Sequence, residues 1–243
     1  MGEAKRRKKT GAPAPRNQGN KKPVLIAIAV VVIVAVIAAV YFMTSPPEPT
    51  SDNLPVAAAN ADEFPAIFDQ YGTSVGSEDA PVVVREFADY QCPACGRFAE
   101  ASQRLKKEYV ESGKVRFVYF DLPLRQHANA MPAAQAARCA GDQDEYWAMH
   151  DKLFDSQSSW SGSNDPVATF TRYANDLGLE ERRFRRCMTT ELHKEAVEQS
   201  LQIAMQLRVA STPTVLVDNI QLTRPGWGQL SAVVERELNK AED

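Results

Sequence analysis

The chain has 243 residues with 28 Lys or Arg, 31 Asp or Glu and a formal net charge of −3, which allows one good-sized domain with appendages. The charge is unevenly placed: residues 1–23 carry eight basic residues and a single acid, whereas residues 44–243 carry 20 basic and 30 acidic residues. An acidic body argues against a nucleic-acid partner, because phosphate binding needs clustered cations.

Residues 24–43 form an apolar stretch of 20 residues without a charge. A helix rises about 1.5 Å per residue, so this length spans roughly the 30 Å hydrocarbon core of a bilayer. A cleaved signal peptide is the alternative, but its apolar core usually runs about 7–15 residues and ends in a small-x-small site. This stretch closes with bulky Tyr41, Phe42 and Met43, which suit a membrane interface. We therefore predict one uncleaved N-terminal transmembrane helix.

The basic residues before the apolar stretch predict its orientation. After residue 23 no Lys or Arg occurs until Arg85, so the positive-inside rule places the N-terminus in the cytoplasm and the rest outside. The predicted order is a disordered basic cytoplasmic tail (1–23), a single membrane span (24–43), a Pro-rich spacer (44–63) and an extracytoplasmic domain (64–243).

Residue patterns within 64–243 predict an α/β domain. β-branched and aromatic runs bounded by Pro or Gly predict strands, and apolar residues at i, i+3, i+4 and i+7 predict helices. The predicted elements are a strand at Val82–Phe87, a helix from Pro93 to about Ser112, a strand at Val115–Phe120, a helical block over 127–208, a strand at Thr214–Val217 and a helix at Gln229–Lys240. A strand–helix–strand start predicts a parallel pair. The order indicates an α/β fold with an all-helical insertion.

The sequence Cys92-Pro-Ala-Cys95 stands where the first predicted strand gives way to the first helix. The N–H groups and the positive dipole end of a helix N-terminus stabilise a thiolate, which lowers the pKa of Cys92. Pro93 suits the first helical turn, where its missing N–H costs nothing. A thiolate attacks a disulfide sulfur, and a second thiol resolves the mixed disulfide. The pair therefore predicts thiol–disulfide exchange, with Cys92 as nucleophile and Cys95 as resolving thiol.

Three other interpretations of this pair are weaker. A zinc site needs a second Cys or His pair at short spacing, whereas Cys139, Cys187 and the histidines are scattered along the chain, so we predict no metal. An inert structural disulfide has no obvious loop to close here. A heme attachment sequence needs His directly after the second Cys, where this chain has Gly96.

Three segments carry a resemblance to a known family. They are F-A-D-Y-Q-C-P-A-C-G-R-F (87–98), the run from 136 to 154 with the later Phe184–Cys187, and Ser-Thr-Pro-Thr (211–214) before the last predicted strand. Together they resemble the DsbA-like thiol–disulfide oxidoreductases, over about residues 75–240. The resemblance implies a thioredoxin-like fold with an inserted helical subdomain, and redox chemistry by an internal disulfide without a cofactor.

The resemblance also assigns roles to Thr212 and Pro213. It implies that Pro213 is cis and faces the Cys92–Cys95 pair, and that Thr212 offers main-chain groups to an extended substrate. Sequence alone favours a trans bond, since cis occurs in only about 5–6% of X–Pro bonds in folded proteins. One position departs from the family: Ala94 stands where its best-known strong oxidases carry His, so the oxidising strength is left open.

The implied activity is the introduction of disulfides into exported proteins. The expected partners are reduced or unfolded exported substrates and a membrane redox partner that reoxidises the pair. Two alternatives stay open: a reductase or isomerase in the same compartment, and a non-catalytic membrane-tethered chaperone or redox sensor.

Cys139 and Cys187 are predicted to form a structural disulfide. They lie 48 residues apart, and closing so long a loop stabilises a fold by about 2–4 kcal/mol. An extracytoplasmic location permits such a bond. Two buried free thiols and a second redox pair are the alternatives.

Overall fold

Nearly all of the described residues follow the predicted membrane span. The structure is a computed structural model that describes residues 54–57 and 63–242, together with Val32. Apart from Val32, the predicted tail and span (1–43) lie outside the described residues, as does most of the predicted spacer. Among the residues that are described, none of the helices is both long and apolar enough to cross a bilayer.

The elements follow the predicted order of strand, helix, strand, helical block, strand and helix. The strands are β1 (Thr73–Val75), β2 (Val82–Ala88), β3 (Val115–Asp121), β4 (Thr214–Val217) and β5 (Ile220–Gln221). The α-helices are α1 (Pro93–Leu105), α2 (Ala130–Gly141), α3 (Tyr146–Asp155), α4 (Gln157–Trp160), α5 (Pro166–Asp176), α6 (Glu181–Thr189), α7 (Lys194–Gln206) and α8 (Trp227–Glu242). A 3₁₀ helix, Ala66–Tyr71, precedes β1, and α1 continues as a π-helical turn, Lys106–Val110.

The strands form one mixed sheet in the order β1-β3-β2-β4-β5. The central strands β2 and β3 are parallel, with Val82 opposite Val115 and Ala88 opposite Asp121, so the predicted parallel pair is confirmed. β1 runs antiparallel to β3, β4 antiparallel to β2, and β5 antiparallel to β4. Because β4 lies beside β2, the loop before β4 meets the loop after β2 at one edge of the sheet.

Alternation along the central strands divides their side chains between two apolar layers. The larger layer joins one face of the sheet to α1, α8 and the helical block, and its sheet members include Val82, Val84, Val115, Phe117 and Tyr119. The opposite face is covered by a smaller layer of Phe87, Val118, Phe120, Leu122, Ile203 and Ala204. Since Ile203 and Ala204 belong to α7, the last helix of the block predicted at 127–208 packs on the sheet itself.

Three short elements were missed by the sequence patterns. β1 and β5 have three and two residues, too few to display an alternation. The 3₁₀ helix is held by a buried ion pair, in which Asp69 accepts two hydrogen bonds from the Arg85 guanidinium at 2.7 and 2.9 Å. Such long-range pairing leaves no local signature in the sequence.

Two helix boundaries also differ from prediction. The first helix was predicted to run to about Ser112, but regular α-helix ends at Leu105 and the π-helical turn follows. The last helix was predicted at Gln229–Lys240 and begins instead at Trp227. Trp227 packs 6.1 Å from the ring of Tyr109 and lies 3.9 Å beneath the Arg104 guanidinium, so a tertiary contact extends this helix.

The structure joins Cys139 of α2 to Cys187 of α6 by a disulfide, with Cα atoms 5.8 Å apart. The bond closes a loop of 48 residues that contains α3, α4 and α5. It therefore ties α2, the first helix of the block, to α6.

Replacing both cysteines by serine (Cys139→Ser, Cys187→Ser) is expected to destabilise the oxidised protein by about 2–4 kcal/mol, because the unfolded chain loses its cross-link. The melting temperature should fall by roughly 4–16 °C in calorimetry or circular dichroism. In excess dithiothreitol the difference from the wild-type protein should vanish, since both then lack the bond. Equal melting temperatures in the absence of reductant would refute the stabilising role.

Candidate active site at the Cys92–Cys95 pair

The two cysteines lie at the N-terminus of α1, directly after β2. Cys92 is the N-cap residue, Pro93 opens the helix, and Cys95 lies one turn inside. Cys92 keeps 8% of its surface exposed and Cys95 none, and both are unbonded thiols in this structure. The outer sulfur is therefore the one that a second molecule can reach.

The environment of Cys92 stabilises its charged form. A hydrogen bond from the Cys95 thiol is the main cause that lowers the pKa of Cys92 to about 4, and it outweighs the opposing effect of burial. The N–H groups of Cys95 and Ala94, at the helix N-terminus, lower the pKa further. Cys92 is thus a thiolate at neutral pH without any cationic neighbour at position 94.

The environment of Cys95 has the opposite effect. Burial, followed by the hydrogen bond to Cys92, raises the pKa of Cys95 well above that of an ordinary thiol. The pair therefore holds one thiolate and one thiol, which are the protonation states that a nucleophile and its resolving partner need.

A buried carboxyl group, Glu86, lies behind the pair on the face of β2 that packs against α1. It is 1% exposed and accepts a hydrogen bond from the Ser102 hydroxyl at 2.7 Å. Burial raises the pKa of Glu86 to about 7, and the charge of this group further raises the pKa of Cys95. An acid this close to the C-x-x-C sequence is expected to oppose thiolate formation, and in the structure the charge of Glu86 acts on the inner cysteine.

The loop before β4 contacts the outer cysteine. The Thr212–Pro213 peptide bond is cis, as the family resemblance implied and sequence alone did not. The Thr212 carbonyl oxygen lies 3.7 Å from Cys92 Sγ. The nearby Thr212 side chain also lowers the pKa of Cys92. Its buried hydroxyl makes no hydrogen bond within the described residues, so it is free to donate to the thiolate. Within residues 63–242, no hydrogen bond uses the main-chain N–H of Thr212, so that group is available to a bound chain.

Asp89 holds the loop between β2 and α1. Its carboxylate is 1% exposed and accepts hydrogen bonds from the N–H groups of Gln91 and Leu124, at 2.7 and 2.8 Å. Its second oxygen also lies 2.7 Å from Nδ1 of His127. His127 thus joins the loop after β3 to the active-site loop.

The helical block also forms hydrogen bonds to this loop. The Gln157 side chain donates hydrogen bonds to the carbonyl oxygens of Tyr90 and Cys92, at 2.7 and 2.9 Å. A Cβ atom at Gly96 would come within 2.7 Å of Gln157 Oε1, so glycine at this position allows the close approach. Sequence reasoning missed Gln157, because no local pattern marks a contact across 65 residues.

Metal-binding side chains do not gather at the redox pair in the part of the chain that the structure describes. The group of His and Cys residues that could hold an ion lies elsewhere, at Cys139, Cys187 and His193. The predicted site residues thus separate into two places, with Cys92, Cys95, Thr212 and Pro213 in one and the disulfide in the other.

Comparison with known proteins finds a matching family model and several related proteins. The thioredoxin family model matches residues 69–236. The chain is 30% identical over 173 residues to the probable disulfide bond formation protein D of Bacillus anthracis, covering 69% of this chain and 78% of that protein. It is also 35% identical over 144 residues to the Na⁺/H⁺ antiporter NhaA 3 of Salinispora tropica, covering 59% of this chain but only 21% of that protein.

Solved structures confirm the fold. The crystal structure of oxidised BdbD from Bacillus subtilis superposes with a TM-score of 0.64 at 22% identity, covering 77% of this chain and 100% of that one. It shares with this chain the thioredoxin-like α/β fold with a helical insertion. The chain therefore belongs to the DsbA-like thiol–disulfide oxidoreductases of the thioredoxin family.

Proposed function

We propose that this oxidoreductase is a membrane-anchored oxidase that donates the Cys92–Cys95 disulfide to exported proteins. The observation that carries the proposal is the opposed acidity of the two thiols, with the pKa of Cys92 lowered to about 4 and that of Cys95 raised. A stable thiolate stabilises the reduced enzyme, and a stable reduced form makes the disulfide a stronger oxidant.

The reaction starts from the oxidised pair and a substrate dithiol. A substrate thiolate attacks Cys92 Sγ, a mixed disulfide forms, and Cys95 leaves and takes up a proton. The second substrate thiolate then attacks the substrate sulfur of the mixed disulfide, and Cys92 leaves as a thiolate. The substrate gains a disulfide and loses two protons, of which Cys95 keeps one and solvent receives the other. The low pKa of Cys92 makes it a good leaving group.

The cis-proline loop provides the binding surface for the substrate. The Thr212 N–H donates to the main chain of an extended segment, and its carbonyl oxygen lies beside Cys92 Sγ. Main-chain recognition does not depend on side chains, so it suits many reduced or unfolded proteins. A membrane redox partner returns the pair to its disulfide form.

A reductase or isomerase is the second candidate, favoured by one residue. Ala94 places no positive charge beside the thiolate. In this structure, however, the low pKa of Cys92 arises from Cys95 and the helix N-terminus, which need no side chain at position 94. The oxidase therefore stays the first candidate.

The thiolate of Cys92 should be detectable as an ultraviolet absorbance of the reduced full chain. Its pH titration is expected to have a midpoint near the value of about 4 that the geometry gives, and to be lost in Cys92→Ser. In Cys95→Ala the midpoint should rise towards the ordinary value of about 8.5, because the hydrogen bond from Cys95 is gone. A wild-type midpoint near about 8.5 would contradict this account of the site.

Because this pKa is depressed in the fold, the thiolate stabilises the reduced protein fully above the ordinary thiol pKa, and the gain is lost as pH falls towards 4. The melting temperature of the reduced form, relative to the oxidised form, should therefore fall between pH 7 and pH 4.

Disulfide transfer is measured by mixing the oxidised full chain with a reduced, unfolded secreted protein and counting substrate disulfides. The wild-type chain should transfer one disulfide per molecule. Cys92→Ser should transfer none, and the reduced Cys95→Ser protein should trap substrates that already contain disulfides as mixed disulfides. The Cys139→Ser/Cys187→Ser protein, assayed below its melting temperature, is the control and should retain transfer. A wild-type chain whose thiols do not turn over would favour the chaperone or sensor.

The anchor at residues 24–43, with a cytoplasmic N-terminus and an extracytoplasmic domain, is part of the proposal and rests on the apolar run and its basic flank. In cell membranes the chain should resist alkaline extraction. Protease added outside cells with a permeabilised wall should digest the domain and spare an epitope at the N-terminus. Release by alkali, or protection of the domain from the protease, would contradict this topology.

A further inference from the structure

A cluster of four side chains surrounds the disulfide of the helical block. The donor atoms of Cys139, Cys187 and His193 all lie within 4.8 Å of one another. A fourth donor comes from Asp142, whose Oδ2 lies 2.9 Å from Nε2 of His193 and 3.6 Å from Sγ of Cys187. We call these four residues the Cys₂HisAsp cluster.

The fold brings together residues that the sequence leaves apart. Cys139 lies in α2 and Asp142 is the residue that caps its C-terminus. Cys187 lies in α6, and His193 caps the N-terminus of α7. The cluster therefore sits where three helices meet, which is why the scattered positions predicted no metal.

The donor set suits a borderline-soft cation. Thiolate, imidazole and carboxylate are the ligands that Zn²⁺ prefers, in tetrahedral geometry. With Zn–S near 2.3 Å and Zn–O near 2.1 Å, a tetrahedral S···O edge measures about 3.6 Å. In the oxidised protein the Cys187–Asp142 distance is already 3.6 Å, and once the disulfide is reduced the two sulfurs must part to a tetrahedral edge of about 3.8 Å. The imidazole–carboxylate edge needs about 3.4 Å by the same geometry, so the observed 2.9 Å must widen slightly.

The cluster is partly open to solvent and, once reduced, negatively charged, so a cation can reach it. The two cysteines are 1% and 5% exposed, whereas the side chains of His193 and Asp142 keep 23% and 31% of their surface open. Two neighbouring guanidinium groups already have partners: Arg138 pairs with Asp121 at 2.7 Å, and Arg183 donates to the Asp142 carbonyl. The three negative charges of two thiolates and one carboxylate exceed the two positive charges of these guanidinium groups.

We propose that the Cys₂HisAsp cluster binds one Zn²⁺ ion when the Cys139–Cys187 disulfide is reduced. An external dithiol supplies two electrons and two protons and becomes a disulfide, and the Cys139–Cys187 bond opens to two thiols. Zn²⁺ then displaces both thiol protons as its bonds to the two sulfurs form, with His193 Nε2 and Asp142 Oδ2 as the remaining ligands. The ion replaces the lost cross-link between α2 and α6, and it also joins α7 to them.

Cobalt is the probe, because tetrahedral Co²⁺–thiolate sites have a charge-transfer band and intense visible bands. The full chain carrying Cys92→Ser and Cys95→Ser, so that only the cluster thiols remain, is reduced with a phosphine and titrated with Co²⁺ without oxygen. The bands should saturate at one equivalent and disappear when Zn²⁺ is added. The oxidised protein should give none of them.

Variants at the two other ligands separate the cluster from a pair of thiols alone. His193→Ala and Asp142→Asn should each weaken Co²⁺ binding by about tenfold or more. Glu191→Gln, which removes an exposed carboxylate paired with Lys194, is the control and should bind as before. A reduced protein without thiolate–cobalt bands, or equal affinity in His193→Ala, would overturn the proposal.

Reduction could itself unfold the helical block, so melting of the reduced protein provides a second readout. Zn²⁺ should raise the melting temperature of the reduced protein and of Glu191→Gln, because a ligand that binds the folded form stabilises it. The rise should be lost in His193→Ala. Absence of any rise in the parent protein would refute the site, whether or not the reduced form is folded.

Discussion

The hydrogen bond between the Cys95 thiol and the Cys92 sulfur is the interaction on which the site depends. This hydrogen bond favours the thiolate at Cys92 and the thiol at Cys95. Burial has the same effect on Cys95, which is fully buried, whereas Cys92 at the N-terminus of α1 is partly exposed. The helix N-terminus adds its N–H groups to the outer sulfur, and the buried Glu86 adds to the resistance of the inner thiol to ionisation. The different reactivity of the two cysteines thus follows from their different burial and hydrogen bonding.

The rest of the fold keeps this arrangement in place. Pairing of β4 with β2 brings the cis-proline loop against Cys92, and Asp89 fixes the loop that leads into α1. The helical block contributes Gln157, which holds two carbonyl oxygens of that loop. The disulfide between Cys139 and Cys187 holds α2 and α6 of the block together. Elements far apart in sequence therefore determine the acidity of one sulfur.

Much of this was predictable from the sequence, because local signals carried it. The central strands, the first helix and the position of Cys92 follow from alternation, helical spacing and the C-x-x-C sequence. The cis bond before Pro213 followed only from family resemblance, since sequence alone favours trans. The sequence shows Glu86 as an acid within an apolar strand, but its pKa is raised by burial, which only the packing of the folded chain reveals. Gln157 and the approach of His193 to the disulfide are tertiary contacts without a local signature.

The reduction potential of the Cys92–Cys95 pair tests the central claim most directly. The full chain is equilibrated against glutathione redox buffers and the fraction of oxidised pair is determined at each ratio. If the thiolate stabilises the reduced form as the geometry requires, the potential lies near or above about −180 mV, towards the strongly oxidising value of about −120 mV. A potential near about −270 mV would contradict the account, because such a pair holds its disulfide too tightly to donate it.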